Sequence, residues 1–186
     1  MREMSLMTSS LLTATDLEAL SLPDKQFELV RGRLLVREPP GTRHGVIAAE
    51  LLYRVSAFAR VHALGVVCAQ DTGFRIRSDP DTVRAPDLAF IARDRMSQIP
   101  DRGYAELAPD MVSEVVSPGD APGDVLAKVA DWLSAGTRLV WVIDPGRFEA
   151  RVYRDDGSLS ILDANASLEG EGVLPGFACP LREILA

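Results

Sequence analysis

The run of five apolar residues at positions 139–143 constrains the fold more than any other feature of the chain. It lacks the polar alternation of a half-exposed strand, so we interpret it as a strand that is buried on both faces. The predicted strand covers residues 139–144, and Pro145 and Gly146 end it. A helical segment over residues 122–135, which Gly136 stops, comes before it. A strand of this kind needs cover on both sides, which predicts a central sheet flanked by helices.

The rest of the chain is consistent with this architecture. Apolar residues at helical spacing predict a long helix over residues 43–63. Thr15, with Glu18 three residues later, is the predicted N-cap of a short first helix. Short apolar or β-branched runs predict strands at residues 65–69, 73–77, 87–92 and 111–116.

Two β-hairpins are predicted near the ends of the chain. The first covers residues 27–36 and turns near Gly32, and the second covers residues 148–162. We therefore predict an α/β (α+β) fold, a central mixed β-sheet flanked by helices, with additional N-terminal and C-terminal β-hairpins. Residues 1–12 are expected to form a flexible N-terminus and residues 13–186 a single domain.

Composition narrows the classes of function. The net charge of −7 argues against a protein that coats nucleic acid nonspecifically, yet it allows a nuclease whose acidic site binds a cation. Cys68 and Cys179, the two cysteines, lie too far apart in sequence to imply a zinc spacing or a disulfide framework. No apolar run approaches the roughly 20 residues of a membrane span, and no signal peptide is recognised. We therefore expect a cytoplasmic protein without a membrane partner.

Two acidic residues stand beside apolar strands and suggest a metal site. Asp87 begins the strand at residues 87–92, and Glu114 lies within the strand at residues 111–116. Carboxylates fixed on neighbouring strands can hold a hard divalent cation such as Mg²⁺. The backbone carbonyl of Val115 lies near the same edge and could complete the set of ligands. A cation held there could activate water and stabilise charge on a phosphodiester.

Several ordered segments of the chain resemble the Uma-type family of restriction endonucleases, within the PD-(D/E)XK nuclease superfamily. The resemblance begins near residue 20 and runs to the C-terminus. Its segments are residues 27–32 (FELVRG), 44–47 (HGVI), 83–89 (VRAPDLA), 114–118 (EVVSP), 141–145 (WVIDP) and 174–177 (LPGF), with a helix that carries Asp124, Lys128, Trp132 and Gly136.

The resemblance implies a restriction-endonuclease-like core, a divalent metal ion and hydrolysis of phosphodiester bonds. It implies that Asp87 and Glu114 are metal ligands. Glu28 would bind a second metal ion or orient water, and His44 would contact phosphate or metal-bound water. The superfamily signature would place a lysine at position 116, where this chain has valine.

Lys128 is the candidate replacement for the missing lysine. It is one of only two lysines in the chain, and it lies on the helix that follows the Glu114 strand. A helix packed across the sheet could bring its side chain back over the strand ends. Alternatively, Lys128 and Asp124 form an ordinary surface pair at i,i+4 spacing.

The remaining candidates concern contact with DNA. Arg31, Arg33 and Arg43 belong to the best basic patch, which could follow a phosphate backbone, although solvated hairpin edges carry such charges equally often. Three of the aromatic residues, Trp132, Trp141 and Phe148, are interpreted as packing residues and not as base-stacking platforms.

The leading hypothesis is an endonuclease that depends on Mg²⁺ or Mn²⁺ and acts on DNA as a homodimer. The alternative is a catalytically degenerate nuclease-fold module that binds nucleic acid or a partner protein, which Val116 and the net charge of −7 both favour. A hydrolase of a small acidic metabolite is a weaker third hypothesis, because we recognise no nucleophile elbow or glycine-rich phosphate loop.

Overall fold

A computed structural model describes residues 11–20 and 25–185. Within these residues the α-helices are α1 (Ala14–Ala19), α2 (Thr42–Val61), α3 (Pro122–Ala135) and α4 (Leu181–Leu185), with a 3₁₀ helix at Arg93–Gln98. The strands are β1 (Gln26–Val30), β2 (Arg33–Arg37), β3 (Gly65–Ala69), β4 (Phe74–Arg77), β5 (Thr82–Arg84), β6 (Leu88–Ala92), β7 (Met111–Val115), β8 (Leu139–Asp144), β9 (Glu149–Arg154), β10 (Leu159–Asp163), β11 (Ser167–Glu169) and β12 (Ala178–Pro180). Among the described residues, no helix is both long enough and apolar enough to cross a bilayer.

The central sheet has six strands in the order β10-β9-β8-β7-β6-β3. β7 and β8 pair in parallel, joined through α3, while the other neighbours are antiparallel, so the predicted mixed sheet is confirmed. The predicted C-terminal hairpin is also present as β9 and β10, and it extends this sheet.

The β8 strand is buried on both faces, as its sequence predicts. Trp141 and Ile143 belong to the apolar cluster that includes residues of α2 and α4, whereas Val140 and Val142 pack in the cluster that contains Trp132 of α3. All four side chains are 0–1% exposed. Helices α2 and α4 therefore cover one face of the sheet, and α3 covers the other. This packing holds α3 against the strands that carry the candidate site.

The N-terminal hairpin is confirmed as β1 and β2, and it belongs to a second sheet with the order β2-β1-β5-β4. Its turn places Arg31 and Gly32 at positive φ values of 50° and 75°, which explains the glycine. The three-residue strand β5 was not predicted, and its Val83 pairs with Leu29 of β1. This pairing brings the residues just before Asp87 against the hairpin.

The predicted cap of the first helix is wrong by two residues. Thr13, and not Thr15, is the N-cap, and its partner three residues later is Asp16 in place of Glu18. Both threonines have an acidic residue at the spacing of a capping box, so the sequence signal was ambiguous. Of the expected flexible N-terminus, residues 1–10 lie outside the described residues, whereas the Leu12 N–H donates to the Gly32 carbonyl at 2.8 Å.

Candidate active site

The two predicted carboxylates meet at one edge of the central sheet. Leu88 of β6 pairs with Ser113 of β7 in antiparallel register, so Asp87 and Glu114, one step further along each strand, lie side by side. The Asp87 N–H continues the pairing by donating to the Ser113 carbonyl at 3.1 Å. Both side chains line a cleft of about 920 Å³ together with Glu28, His44 and Lys128. The structure thus brings all five predicted catalytic residues to one cleft.

Glu114 is buried and both of its carboxylate oxygens are engaged. The Trp132 Nε1–H donates to Oε1 at 2.9 Å, and Lys128 Nζ donates to Oε2 at 2.7 Å. Burial raises the pKa of Glu114, while the charge of Lys128 acts in the opposite direction. Asp87 also contributes to the raised pKa, since its negative charge lies nearby.

Lys128 points into the site from α3, as the displaced-lysine hypothesis predicts. Its Nζ lies 2.7 Å from Glu114 Oε2 and 3.4 Å from Glu28 Oε1, and its side chain is only 12% exposed. Burial lowers the pKa of Lys128, but the charges of Glu114 and Glu28 outweigh this effect and the net pKa is raised. The lysine therefore carries its proton. The alternative, a surface pair with Asp124, is wrong because the partners of Lys128 are these two buried carboxylates.

Asp87 is held by the neighbouring strand and by α2. Its Oδ2 accepts a hydrogen bond from the Val115 N–H at 2.7 Å and lies 3.2 Å from His44 Nε2. Its Oδ1 makes no hydrogen bond with the described residues. Burial lowers the pKa of His44, but the hydrogen bond and charge of Asp87 outweigh it and the net pKa is raised.

Glu28 is a buried site residue and not an exposed hairpin residue. Its Oε2 accepts from Arg84 at 2.9 Å, and its Oε1 accepts from the Ala85 N–H at 3.1 Å. Arg84 also donates to Asp131 Oδ2 on α3, through Nε at 3.0 Å and a terminal nitrogen at 2.6 Å. This buried guanidinium fixes Glu28 at a position from which it faces Lys128.

The predicted DNA-binding arginines are separated in the structure. Arg31 and Arg33 are exposed at the turn of the β1–β2 hairpin, outside the residues that line the cleft. Arg43 is exposed next to His44 at the start of α2, and its guanidinium carbon lies 5.6 Å from the centre of the Phe148 ring. Arg37 does line the cleft, 3.7 Å from Glu28 and 3.6 Å from Asp120.

The charge of the site is suited to a divalent cation. Seven charged residues around the cleft are linked by ion pairs, and four carboxylates outnumber three cations among them; they are Glu28, Glu114, Asp120 and Asp131 with Arg37, Arg84 and Lys128. A fifth carboxylate, Asp87, lies 3.2 Å from His44 Nε2. Among the described residues, no three His, Cys, Asp or Glu side chains form a ready metal cluster. The candidate donors are instead two carboxylates, Asp87 and Glu114, and the Val115 carbonyl, which are hard oxygen ligands of the kind that Mg²⁺ binds.

Three residues of the site were missed as functional candidates. Trp132 was assigned to packing alone, yet its indole N–H binds Glu114 as well. A signal existed in the sequence, since Trp132 is four residues after Lys128 and therefore on the same face of α3. Arg84 and Asp131 gave no such signal, because their meeting depends on how β5 and α3 pack.

Arg84 offers a test of how strongly this network stabilises the fold. We expect Arg84→Met to lower the free energy of unfolding by about 3 kcal/mol, because it leaves the carboxylates of Glu28 and Asp131 without their buried partner. Urea unfolding followed by circular dichroism measures the change. The matched control Arg147→Met removes a 62% exposed arginine and should cost less than about 1 kcal/mol. Equal stabilities of the two variants would contradict the prediction.

Comparison with known proteins identifies a family and supports the fold. The model of the Uma2 family, described as “Putative restriction endonuclease”, matches residues 14–182. A crystal structure from Anabaena variabilis, titled as that of “a putative nuclease belonging to DUF820”, superposes with a TM-score of 0.80. The match covers 94% of this chain and 97% of that chain at 18% sequence identity, which confirms the predicted fold. No curated protein matches the chain at a significant level.

Proposed function

We propose that this chain, which belongs to the Uma2 family of restriction endonucleases, is a metal-dependent endonuclease that hydrolyses phosphodiester bonds in DNA. The observation that carries the proposal is the contact of 2.7 Å between Lys128 Nζ and Glu114 Oε2, at the strand edge shared with Asp87. In this proposal Lys128 takes the place of the lysine that the superfamily signature has at position 116, where this chain has valine.

Asp87, Glu114 and the Val115 carbonyl are the residues that would hold Mg²⁺ or Mn²⁺. A divalent cation bound there would supply Lewis acidity that activates water and offsets the charge of a phosphate. The Val115 N–H orients the Asp87 carboxylate, and the Trp132 N–H orients that of Glu114. These buried donors fix both side chains before a substrate binds, which reduces the reorganisation needed for the reaction.

Lys128 stabilises the negative charge that develops on the phosphate. Its ammonium group remains charged because two carboxylates raise its pKa, and the low exposure of the site strengthens its electrostatic effect. Glu28 also holds Lys128, with Oε1 at 3.4 Å from Nζ. His44 steadies Asp87 from 3.2 Å, and in this proposal it also contacts a phosphate oxygen of the substrate.

We also propose a homodimer, because active sites of this kind commonly work in pairs when both strands of a duplex are cut. Cys68 and Cys179 are both unpaired, which supports a reducing setting such as the cytoplasm. The exposed Arg31, Arg33 and Arg43 are kept as candidate contacts to the DNA backbone.

Supercoiled plasmid DNA tests the activity directly. With Mn²⁺ or Mg²⁺, we expect the purified protein to convert the plasmid into nicked and linear forms, and excess chelator should stop the reaction. If neither metal ion supports conversion, the endonuclease proposal fails. The alternative of a degenerate binding module, which Val116 and the net charge of −7 favour, would then take its place.

A further inference from the structure

The turn between β8 and β9 presents an aromatic ring to solvent, outside the cleft but after the strand that pairs with β7. Residues 145–148 form this turn, and the last strand pair before it is Asp144 with Glu149. Phe148 is 52% exposed, so its expected role in packing is wrong. A large apolar side chain exposed at a turn gains little from burial, and the fold gives it no evident structural role.

The backbone of Phe148 is also unusual. Its φ of +54° lies in the left-handed region, which glycine and asparagine adopt at low cost and a bulky aromatic residue rarely adopts. Backbone strain of this kind often accompanies functional positions. The turn therefore keeps a phenylalanine at a position where the local backbone favours a smaller residue.

Arg43 contacts the ring, and a second arginine, Arg147, is its neighbour in the chain. The Arg43 guanidinium carbon lies 5.6 Å from the ring centre, within the range of a cation–π contact. Arg147, next to Phe148 in the chain, is 62% exposed, and its ion pairs with Asp144 and Glu149 are long, at 3.6 and 3.8 Å. Two arginines and an exposed ring thus form one surface, which we call the Phe148 platform.

The Phe148 platform adjoins the candidate active site through two elements. On α2, Arg43 directly precedes His44, whose Nε2 lies 3.2 Å from Asp87. On the sheet, β8 runs beside β7, where Ile143 pairs with Val115, and the turn begins two residues later. A strand of nucleic acid with a phosphate at the carboxylates could therefore place a neighbouring base against the ring.

We propose that the Phe148 platform stacks an unpaired base of the DNA substrate next to the scissile phosphodiester bond. This inference rests on the proposed function and adds a substrate class to it: DNA that is single-stranded or locally unpaired at the cleavage site. Bases in a duplex have both faces covered by their neighbours, so an exposed ring can stack on a base only where the helix is open. The flanking arginines contact the phosphates on either side of that base.

Binding of oligonucleotides that contain 2-aminopurine tests the proposal separately from catalysis. The wild-type protein, in Ca²⁺ so that binding is measured apart from cleavage, is titrated into single-stranded DNA and into the matching duplex. We expect fluorescence quenching of the single strand, and about tenfold weaker binding for Phe148→Leu, which keeps an apolar side chain and a Cβ but has no aromatic face. Phe148→Trp should retain both the quenching and the affinity.

Two further variants separate stacking from charge and from general effects. Arg43→Ala should make binding less dependent on salt, by about one unit in the slope of log K against log salt concentration. Tyr53→Ala is the matched control, because Tyr53 is an exposed aromatic residue, 69% exposed, about three turns further along α2. Its affinity should equal that of the wild type.

The outcomes distinguish this inference from the proposed function. If Phe148→Leu binds single-stranded DNA within twofold of the wild type, the platform proposal is overturned, whether or not the protein cleaves plasmid DNA. If the Phe148 variants instead change the oligomeric state and leave quenching unchanged, the ring belongs to a protein interface and the proposal is equally overturned. Loss of quenching in Phe148→Leu, in a protein that fails to cleave plasmid, supports the platform and overturns only the nuclease activity.

Discussion

Replacing Asp87 by asparagine is expected to abolish both Mn²⁺ binding and DNA cleavage. The variant keeps the size of the side chain and an oxygen that can accept the Val115 hydrogen bond. It removes one of the two carboxylates that face each other across β6 and β7. The proposed ligands are two carboxylates and a carbonyl, so only the two carboxylates carry negative charge for the cation. Because the variant loses one of them, we expect the Mn²⁺ affinity to fall by at least about 100-fold. The cleavage rate should fall by at least about 1,000-fold.

Isothermal titration calorimetry with Mn²⁺ measures the first effect and plasmid conversion the second. Asp124→Asn is the matched control, because Asp124 lines the same cleft but lies on the exposed first turn of α3. It should bind Mn²⁺ within a few-fold of the wild type. Wild-type Mn²⁺ affinity in Asp87→Asn would show that the cation, if it binds, uses other ligands.

The sequence was sufficient for the central sheet because burial there leaves a direct signature. The first five residues of β8 face helices on both sides and are all apolar, and the strand was predicted with its observed bounds, Leu139–Asp144. β5 was missed for the opposite reason. It has three residues, and it is a strand only because Leu29 of β1 and the neighbouring β4 supply its partners. A strand that depends on such partners leaves no recognisable pattern in its own three residues.

The candidate site shows the same division between local and tertiary information. Asp87 and Glu114 could be recognised because Glu114 interrupts an apolar strand, where it needs a partner, and Asp87 stands at the start of another. Arg84 could not be assigned, since its role arises from two carboxylates that are 56 and 47 residues away along the chain. Phe148 was wrongly assigned to the core, because composition alone does not show that a turn at positive φ holds the ring in solvent.

Lys128→Met is expected to separate metal binding from catalysis. Methionine keeps the length of the buried side chain but removes the ammonium group that lies between Glu114 and Glu28. Cleavage should fall by at least about 100-fold, because the charge that would stabilise the phosphate is lost. At pH 8 the variant should bind Mn²⁺ at least as tightly as the wild type, since a competing cation no longer occupies Glu114 Oε2.

The pH dependence of Mn²⁺ binding distinguishes this role from a general defect. Burial raises the pKa of Glu114, and the charge of Lys128 lowers it. Without the lysine, the pKa of Glu114 must therefore rise further. A carboxyl group binds the cation in its deprotonated form. As the pH falls, Lys128→Met should therefore begin to lose Mn²⁺ at a higher pH than the wild type does. Lys25→Met is the control, because its ion pair with Glu38 is exposed at the rim of the cleft. If Lys128→Met loses Mn²⁺ binding at pH 8, Lys128 has a structural role in the site and the predicted separation fails. If the variant cleaves DNA at the wild-type rate, Lys128 does not replace the lysine of the signature.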